Sequence, residues 1–206
     1  VAGYGWTGSG APVDYLREFE NTFVPEIEFR LIKDPYGIAE LEQALVHNWD
    51  YINSAAAISD FLWLAQKCAY TRTNVLSPMG LDYDTKLNPN FLQITSQYIA
   101  NLTSFQYHSS SLYSKFKKKR SQFTADLIQD ALYRRSGGKI GKEDIGQVIP
   151  FAKVNEENFV RETKQYLEQV FEPYFSDDKI VVLDQAISPI HLEYLKYFAD
   201  VKMIIV

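Results

Sequence analysis

The chain of 206 residues has 46 % hydrophobic and 23 % charged side chains, an ordinary globular balance with enough length to bury a sizeable core. Its net charge of −5 excludes a general nucleic-acid binder, which needs a basic footprint, so any anionic ligand must be held by local groups. No run approaches the ~18 consecutive apolar residues of a membrane span, and a single cysteine, Cys68, excludes an internal disulfide framework and fits a reducing, cytoplasmic setting.

In chain order, the first five residues read as the end of a buried strand, followed by a glycine-rich turn and a helix from Pro12 to about Glu20. Proline is preorganised for the first helical turn, and Val13, Leu16 and Phe19 keep a helical spacing. EIEFRLI (26–32) reads as a second strand, closed by the turn Asp34-Pro35-Tyr36-Gly37. The spacing then predicts helices over 38–47, 50–70, 89–107 and 121–135, which together form a large helical insertion at 38–136. GGKIGKED (137–144) is a loop. Asn155 is placed to cap a helix whose stripe is Phe159, Thr163, Tyr166 and Val170. KIVVLDQ (179–185) is a short apolar strand of the parallel-sheet kind, Ser188-Pro189 starts another helix, and KMIIV is a last strand. The expected class is α/β, one domain over 1–206 with a mainly parallel sheet and flanking helices. Because the chain starts and stops within strand-like runs, the natural polypeptide is expected to continue beyond Val206.

Ligands of parallel sheets bind outside the carboxyl ends of the strands. Three pieces fall on that edge: Gly5 to Ala11, Arg30 to Asp34, and Asp184 to His191. Gly5 and Gly10 have the spacing of the glycines in the phosphate loop G-x-x-x-x-G-K-[ST], but Ala11 and Pro12 replace the lysine and hydroxyl residue. Triphosphate cleavage is thereby disfavoured, since that lysine and hydroxyl serve the terminal phosphates and Mg²⁺. The loop reads either as an anion cradle, with Gly5, Gly8 and Gly10 freeing the backbone and Thr7 and Ser9 adding hydroxyls, or as a tight turn whose free donors Asp14 satisfies. Arg30 and Lys33 are cations that can replace the missing lysine. Glu26 and Glu28 share a strand face, which is either a solvated edge or the source of a general base. Asp184 ends its strand as a metal or loop-orienting carboxylate, or as turn chemistry. His191, at a helix start on the same edge, is either a base near neutral pH or an exposed capping-turn residue. His47 and His108 have no partners at metal-ligand spacing, so no metal is expected. The basic run KFKKKR (115–120) reads as a solvated segment or a clamp for an acidic ligand.

W-T-G-S-G-A-P-V-D-Y-L resembles the 5′-phosphosulfate loop of sulfotransferases, P-[KR]-S-G-T-[ST] followed by a helix. Ser9-Gly10 match its central pair, Gly8 stands where that family has Lys or Arg, and Ala11-Pro12 replace its hydroxyl pair. The closing run KIVVLDQAISPIHLEYLKYFADVKMIIV is also similar to sulfotransferase-like proteins. The resemblance implies a P-loop-type fold and a 3′-phosphoadenosine-5′-phosphosulfate donor whose sulfuryl group passes to a hydroxyl of a small molecule or glycan. On that expectation Gly5, Thr7, Gly8, Ser9, Gly10, Ala11 and Asp184 hold the donor. Arg30 and Lys33 offset charge, and His191 or Glu28 takes the acceptor's proton. The alternatives are a Mg²⁺-dependent nucleotide phosphotransferase and a non-catalytic interaction module that keeps the fold.

Overall fold

A computed structural model describes residues 1–3, 8–69, 81–109, 134–135, 147–175 and 179–206. It is a mixed α/β structure. Its helices are α1 (Gly10–Arg17), α2 (Ile38–Glu42), α3 (Tyr51–Ala69), α4 (Tyr83–Lys86), α5 (Phe91–Leu102) and α6 (Glu156–Phe171). A π-helical turn, Gln43–His47, continues α2, and a 3₁₀ helix spans Leu192–Tyr197. The strands are β1 (Thr22–Phe23), β2 (Phe105–Ser109), β3 (Gln147–Phe151) and β4 (Ile180–Val181).

The core lies among α3, α5 and α6. Asn155 caps α6 as expected, its Oδ1 accepting the Asn158 N–H at 2.8 Å, and the stripe Phe159, Thr163, Tyr166 and Val170 is buried. Two buried tyrosines stack at 4.5 Å between ring centres, Tyr98 from α5 and Tyr166 from α6. Their hydroxyls are paired crosswise: Tyr98 with Thr163 at 2.8 Å, and Tyr166 with Thr95 at 2.9 Å. Polar tips are thus satisfied where the rings contribute apolar area. Cys68 is buried beside this cluster, and burial pushes its thiol up to about 12, so it acts as a small hydrophobe.

The parallel component is small but ordered. β1 pairs with β4 in parallel, Thr22 opposite Ile180 and Phe23 opposite Val181. Ile180 and Val182 direct their N–H groups to Asn21 and Phe23, while the carbonyl of Leu183 and the N–H of Gln185, on the other edge, meet Val1. Ala2 then bridges Ile205 in parallel. Numbered along the chain, these four parallel segments lie in the order 2-3-1-4. The first segment sits inside the sheet, and the glycine loop follows it. Where the opening and closing runs read as strands, the described residues join through the Ala2–Ile205 bridge and form no longer ladder with each other. Ser188-Pro189 opens a turn, and the helical segment begins later, at Leu192, as 3₁₀.

EIEFRLI is not a strand. The hydroxyl of buried Tyr83 donates to the Glu28 carbonyl at 2.7 Å and accepts the Arg30 N–H at 2.9 Å, taking the backbone groups a ladder would use. The chain then folds back: Ile38 N–H donates to Leu31 and Ala39 N–H to Ile32, so both apolar residues turn into the core. The shared strand face expected of Glu26 and Glu28 therefore does not exist. The helix expected over 89–107 stops at Leu102, where the Thr103 hydroxyl bonds the Ile99 carbonyl and the backbone turns extended. β2 follows and pairs antiparallel with β3, Phe105 opposite Phe151. Of the helix expected at 121–135, only Arg134 and Arg135 are described, helical and exposed. KFKKKR and GGKIGKED lie outside the described residues.

Tyr83→Phe is expected to lower stability by about 2 kcal/mol by leaving two backbone groups unpaired, and Tm by roughly 4–8 °C, read by thermal unfolding. A Cβ on Gly37 would stand 2.6 Å from the Leu31 carbonyl oxygen and 2.7 Å from that of Asp34. Gly37→Ala therefore costs about 2 kcal/mol, whereas Gly10→Ala, with open space around the new methyl, leaves the melting curve unchanged or slightly raised.

Candidate functional site

Gly8 holds a left-handed φ of 85°, which sends the chain from the sheet edge into α1. Ser9 stands at the N-cap of α1 without capping it. Ala11 gives its N–H to the Gly8 carbonyl at 3.1 Å and Pro12 has none; those of Ser9 and Gly10 meet no acceptor among the described residues. Asp14 does not satisfy them: it is exposed and paired with Arg17 at 2.8 Å. Ala11 itself is exposed, and Gly5 and Thr7 lie outside the described residues.

The buried Ser9 hydroxyl is tied to the far side of the edge. Its Oγ accepts from Gln185 Nε2 at 2.9 Å, and Gln185 Oε1 faces Lys33 Nζ at 3.5 Å. Ser9, Gln185 and Lys33 thus form one polar chain across three segments distant in sequence. Gln185 sits at φ 55°, unusual for a residue with a long side chain. Sequence reasoning stopped one residue short of it, at Asp184. The strand-ending pair Asp-Gln was the available signal, but nothing in it indicates that the second residue turns left-handed.

Lys33 is half-buried. Burial lowers its pKa, with Asp34, Glu28 and Asp184 pulling the other way and Arg30 adding to the fall. Among the described residues no carboxylate comes within ion-pair distance of it. Arg30 is in the opposite condition. Its Nε meets Asp34 at 2.5 Å and its Nη1 meets Glu28 at 2.9 Å, and the Asp34 bond above all raises its pKa. Arg30 and Glu28 therefore neutralise each other in place. Asp184 ends the β4 segment with Oδ1 shielded from solvent and reached by no hydrogen-bond donor. His191 is not joined to this group. It stacks on Tyr194 at 5.2 Å, which stacks on Tyr197.

Tyr197 leads to a second polar cluster. Its hydroxyl donates to Glu42 Oε2 at 2.5 Å, and Lys196 Nζ bonds Glu42 Oε1 at 2.6 Å and Glu156 Oε1 at 2.8 Å. The π turn brings His47 to 3.7 Å from Glu42, because i→i+5 bonding sets residues five apart close together. Glu42, His47 and Glu156 offer ligand atoms within 4.8 Å of one another, a grouping the sequence spacing did not reveal. The Lys196 ammonium already bridges the two carboxylates, so the chain supplies the cation itself. A cleft of about 220 Å³ lies between α2 and α3, walled by Leu41, Ala44, Ala57 and Asp60, and is lined by no residue of either cluster. Among the described residues no helix is long and apolar enough to cross a membrane.

Comparison with known proteins places no relative beside this site: no family model, no curated protein and no solved structure matches the chain.

Burial opposes the charge on Lys196, but its bonds to Glu156 and Glu42 together outweigh it and raise its pKa. This stabilisation is full below the ordinary lysine value and is lost as pH rises through the raised one. Glu156, lowered first by its bond to Lys196, contributes above the ordinary glutamate value and loses that contribution as pH falls through the lowered one. Lys196→Met strands the buried Glu42 and is expected to cost about 3 kcal/mol. The double variant with Glu42→Gln should cost less than the sum of the single variants by at least about 1 kcal/mol, measured by urea unfolding.

Proposed function

We propose that the carboxyl edge of the parallel segments binds the phosphosulfate of a donor such as 3′-phosphoadenosine-5′-phosphosulfate and that the domain transfers its sulfuryl group to a hydroxyl acceptor. The reading is supported above all by the Ser9–Gln185–Lys33 chain, which joins the glycine loop to a cation that bonds no carboxylate among the described residues. The order 2-3-1-4 supports it as well. The chain leaves the adjacent segments 1 and 3 toward opposite edges of the sheet, the kind of point at which ligands of parallel sheets bind.

In this reading the N–H groups of Ser9 and Gly10 and the Ser9 hydroxyl receive anionic oxygens at the start of α1. Lys33 supplies the charge that Gly8 lacks. Partial burial makes that ammonium a stronger partner for an oxyanion than one in open solvent. Arg30 holds Asp34 and Glu28 away from Lys33 and contacts no substrate.

Calorimetric titration with 3′,5′-adenosine bisphosphate, without metal, tests the proposal. Saturable binding is expected, weakened at least about tenfold by Lys33→Ala. Affinity should fall as pH rises through the depressed Lys33 pKa, below the range of an ordinary lysine. Absence of saturable heat, or equal affinity in Lys33→Ala, rejects the reading.

A further inference from the structure

A serine at a helix N-cap ordinarily accepts the N–H of the second or third helical residue. Neither is on offer at α1: the Ala11 N–H goes to the Gly8 carbonyl, and Pro12, the third residue, has none. The Ser9 hydroxyl is thereby released from capping and meets Gln185 Nε2 at 2.9 Å instead. An ammonium only donates, so the amide oxygen of Gln185 is the end that faces Lys33, at 3.5 Å, and the NH₂ is the end that faces Ser9. The cation therefore fixes the direction of the whole chain: Lys33 donates to Gln185, Gln185 donates to Ser9, and Ser9 Oγ accepts. The proton of the Ser9 hydroxyl then meets no acceptor among the described residues.

The groups left unspent are all donors: the Ser9 O–H, the N–H groups of Ser9 and Gly10, and the remaining hydrogens of Lys33. The nearby carboxylates do not reverse this polarity, since Arg30 holds Glu28 and Asp34, and Arg17 holds Asp14. There is also room beside the donors. Gly8 and Gly10, on either side of Ser9, are exposed, and a Cβ on either would meet nothing within 4 Å.

We propose that Gln185 is a positioning residue that turns the Ser9 hydroxyl into a donor, and that the edge thereby selects an oxyanion without a proton, such as a sulfo group, over a terminal phosphate that carries an O–H. This rests on the sulfuryl-transfer reading above and sharpens it. The oxygens of a phosphosulfate are acceptors only, whereas a terminal phosphate is protonated for part of the time near neutral pH. A set of donors gives that O–H no acceptor, and a donor left unpaired in a site opposes binding.

Three small dianions test the selection. At about pH 7.5 sulfate and monofluorophosphate carry no proton, while inorganic phosphate carries at least one O–H. In calorimetric titration of the wild-type chain, the first two are expected to bind within about twofold of each other and at least about threefold more tightly than phosphate. In Gln185→Met, with its fold checked by circular dichroism, the serine hydroxyl is free to turn and accept, so the margin should shrink to within about 1.5-fold. Weaker binding with the margin intact is what a merely structural role would give, and it overturns the proposal. Equal affinities in the wild type, or a preference for phosphate, overturn it as well and leave the anion site standing. Where Gln185→Met does not fold, Ser9→Ala, which deletes the donor, takes its place with the same expectation. Binding of none of the three overturns the proposal; if 3′,5′-adenosine bisphosphate also gives no saturable heat, the sulfuryl-transfer reading falls with it.

Discussion

The Tyr83 hydroxyl is the constraint on which the sheet edge depends. It is fully buried, and its single oxygen serves two backbone groups, accepting from Arg30 and donating to Glu28. That bond pair prevents residues 28–30 from joining a sheet and fixes the point at which the chain turns back toward α2. The Gly37 turn and the Arg30–Asp34 pair follow from it, and Lys33 lies between them in the chain. A ring in the core therefore sets the position of a charge some fifty residues earlier in the sequence.

Pairing then decides which cation can work on a ligand. Arg30 and Lys33 are three residues apart and look equivalent in sequence, yet the first is bonded at 2.5 and 2.9 Å to two carboxylates and the second, among the described residues, to an amide oxygen at 3.5 Å. An ion pair already made must be broken before its cation can serve a new partner, whereas an amide is surrendered at small cost. The planar fork of arginine suits it for holding two carboxylates at once; the point charge of lysine suits it for reaching. The division of labour at this edge follows from side-chain geometry.

Much of the helical part was legible because its periodicity is carried by single faces. Asn155 and the stripe from Phe159 to Val170 appear in the structure as the spacing implies, as does the start of α3 to within a residue. EIEFRLI was misread because its alternation, Ile27, Phe29, Leu31, is a strand pattern that tertiary bonding to Tyr83 overrides, and no local signal announces a partner at position 83. At the site, Ser9, Lys33 and Asp184 were accessible from the rule about strand ends. Gln185 and the Glu42–Lys196 cluster were not, since one depends on a left-handed backbone and the other on a π turn.

The same facts explain why the edge must borrow its rigidity. β1 and β4 share only two paired residues, and a lone two-stranded pairing is marginal in water. Most of the large buried side chains belong to the helices, with Ala186 and Ile187 carrying the strand-end loop into that core immediately after Gln185. A left-handed Gln185 costs of order 1–3 kcal/mol, which such a short sheet cannot hold alone. It persists because the residue is bounded on one side by the hydrogen bond from its N–H to Val1 and on the other by the buried Ala186. Its amide is thereby aimed between Ser9 and Lys33. The helical core, through that one residue, keeps the glycine loop and the lysine in register.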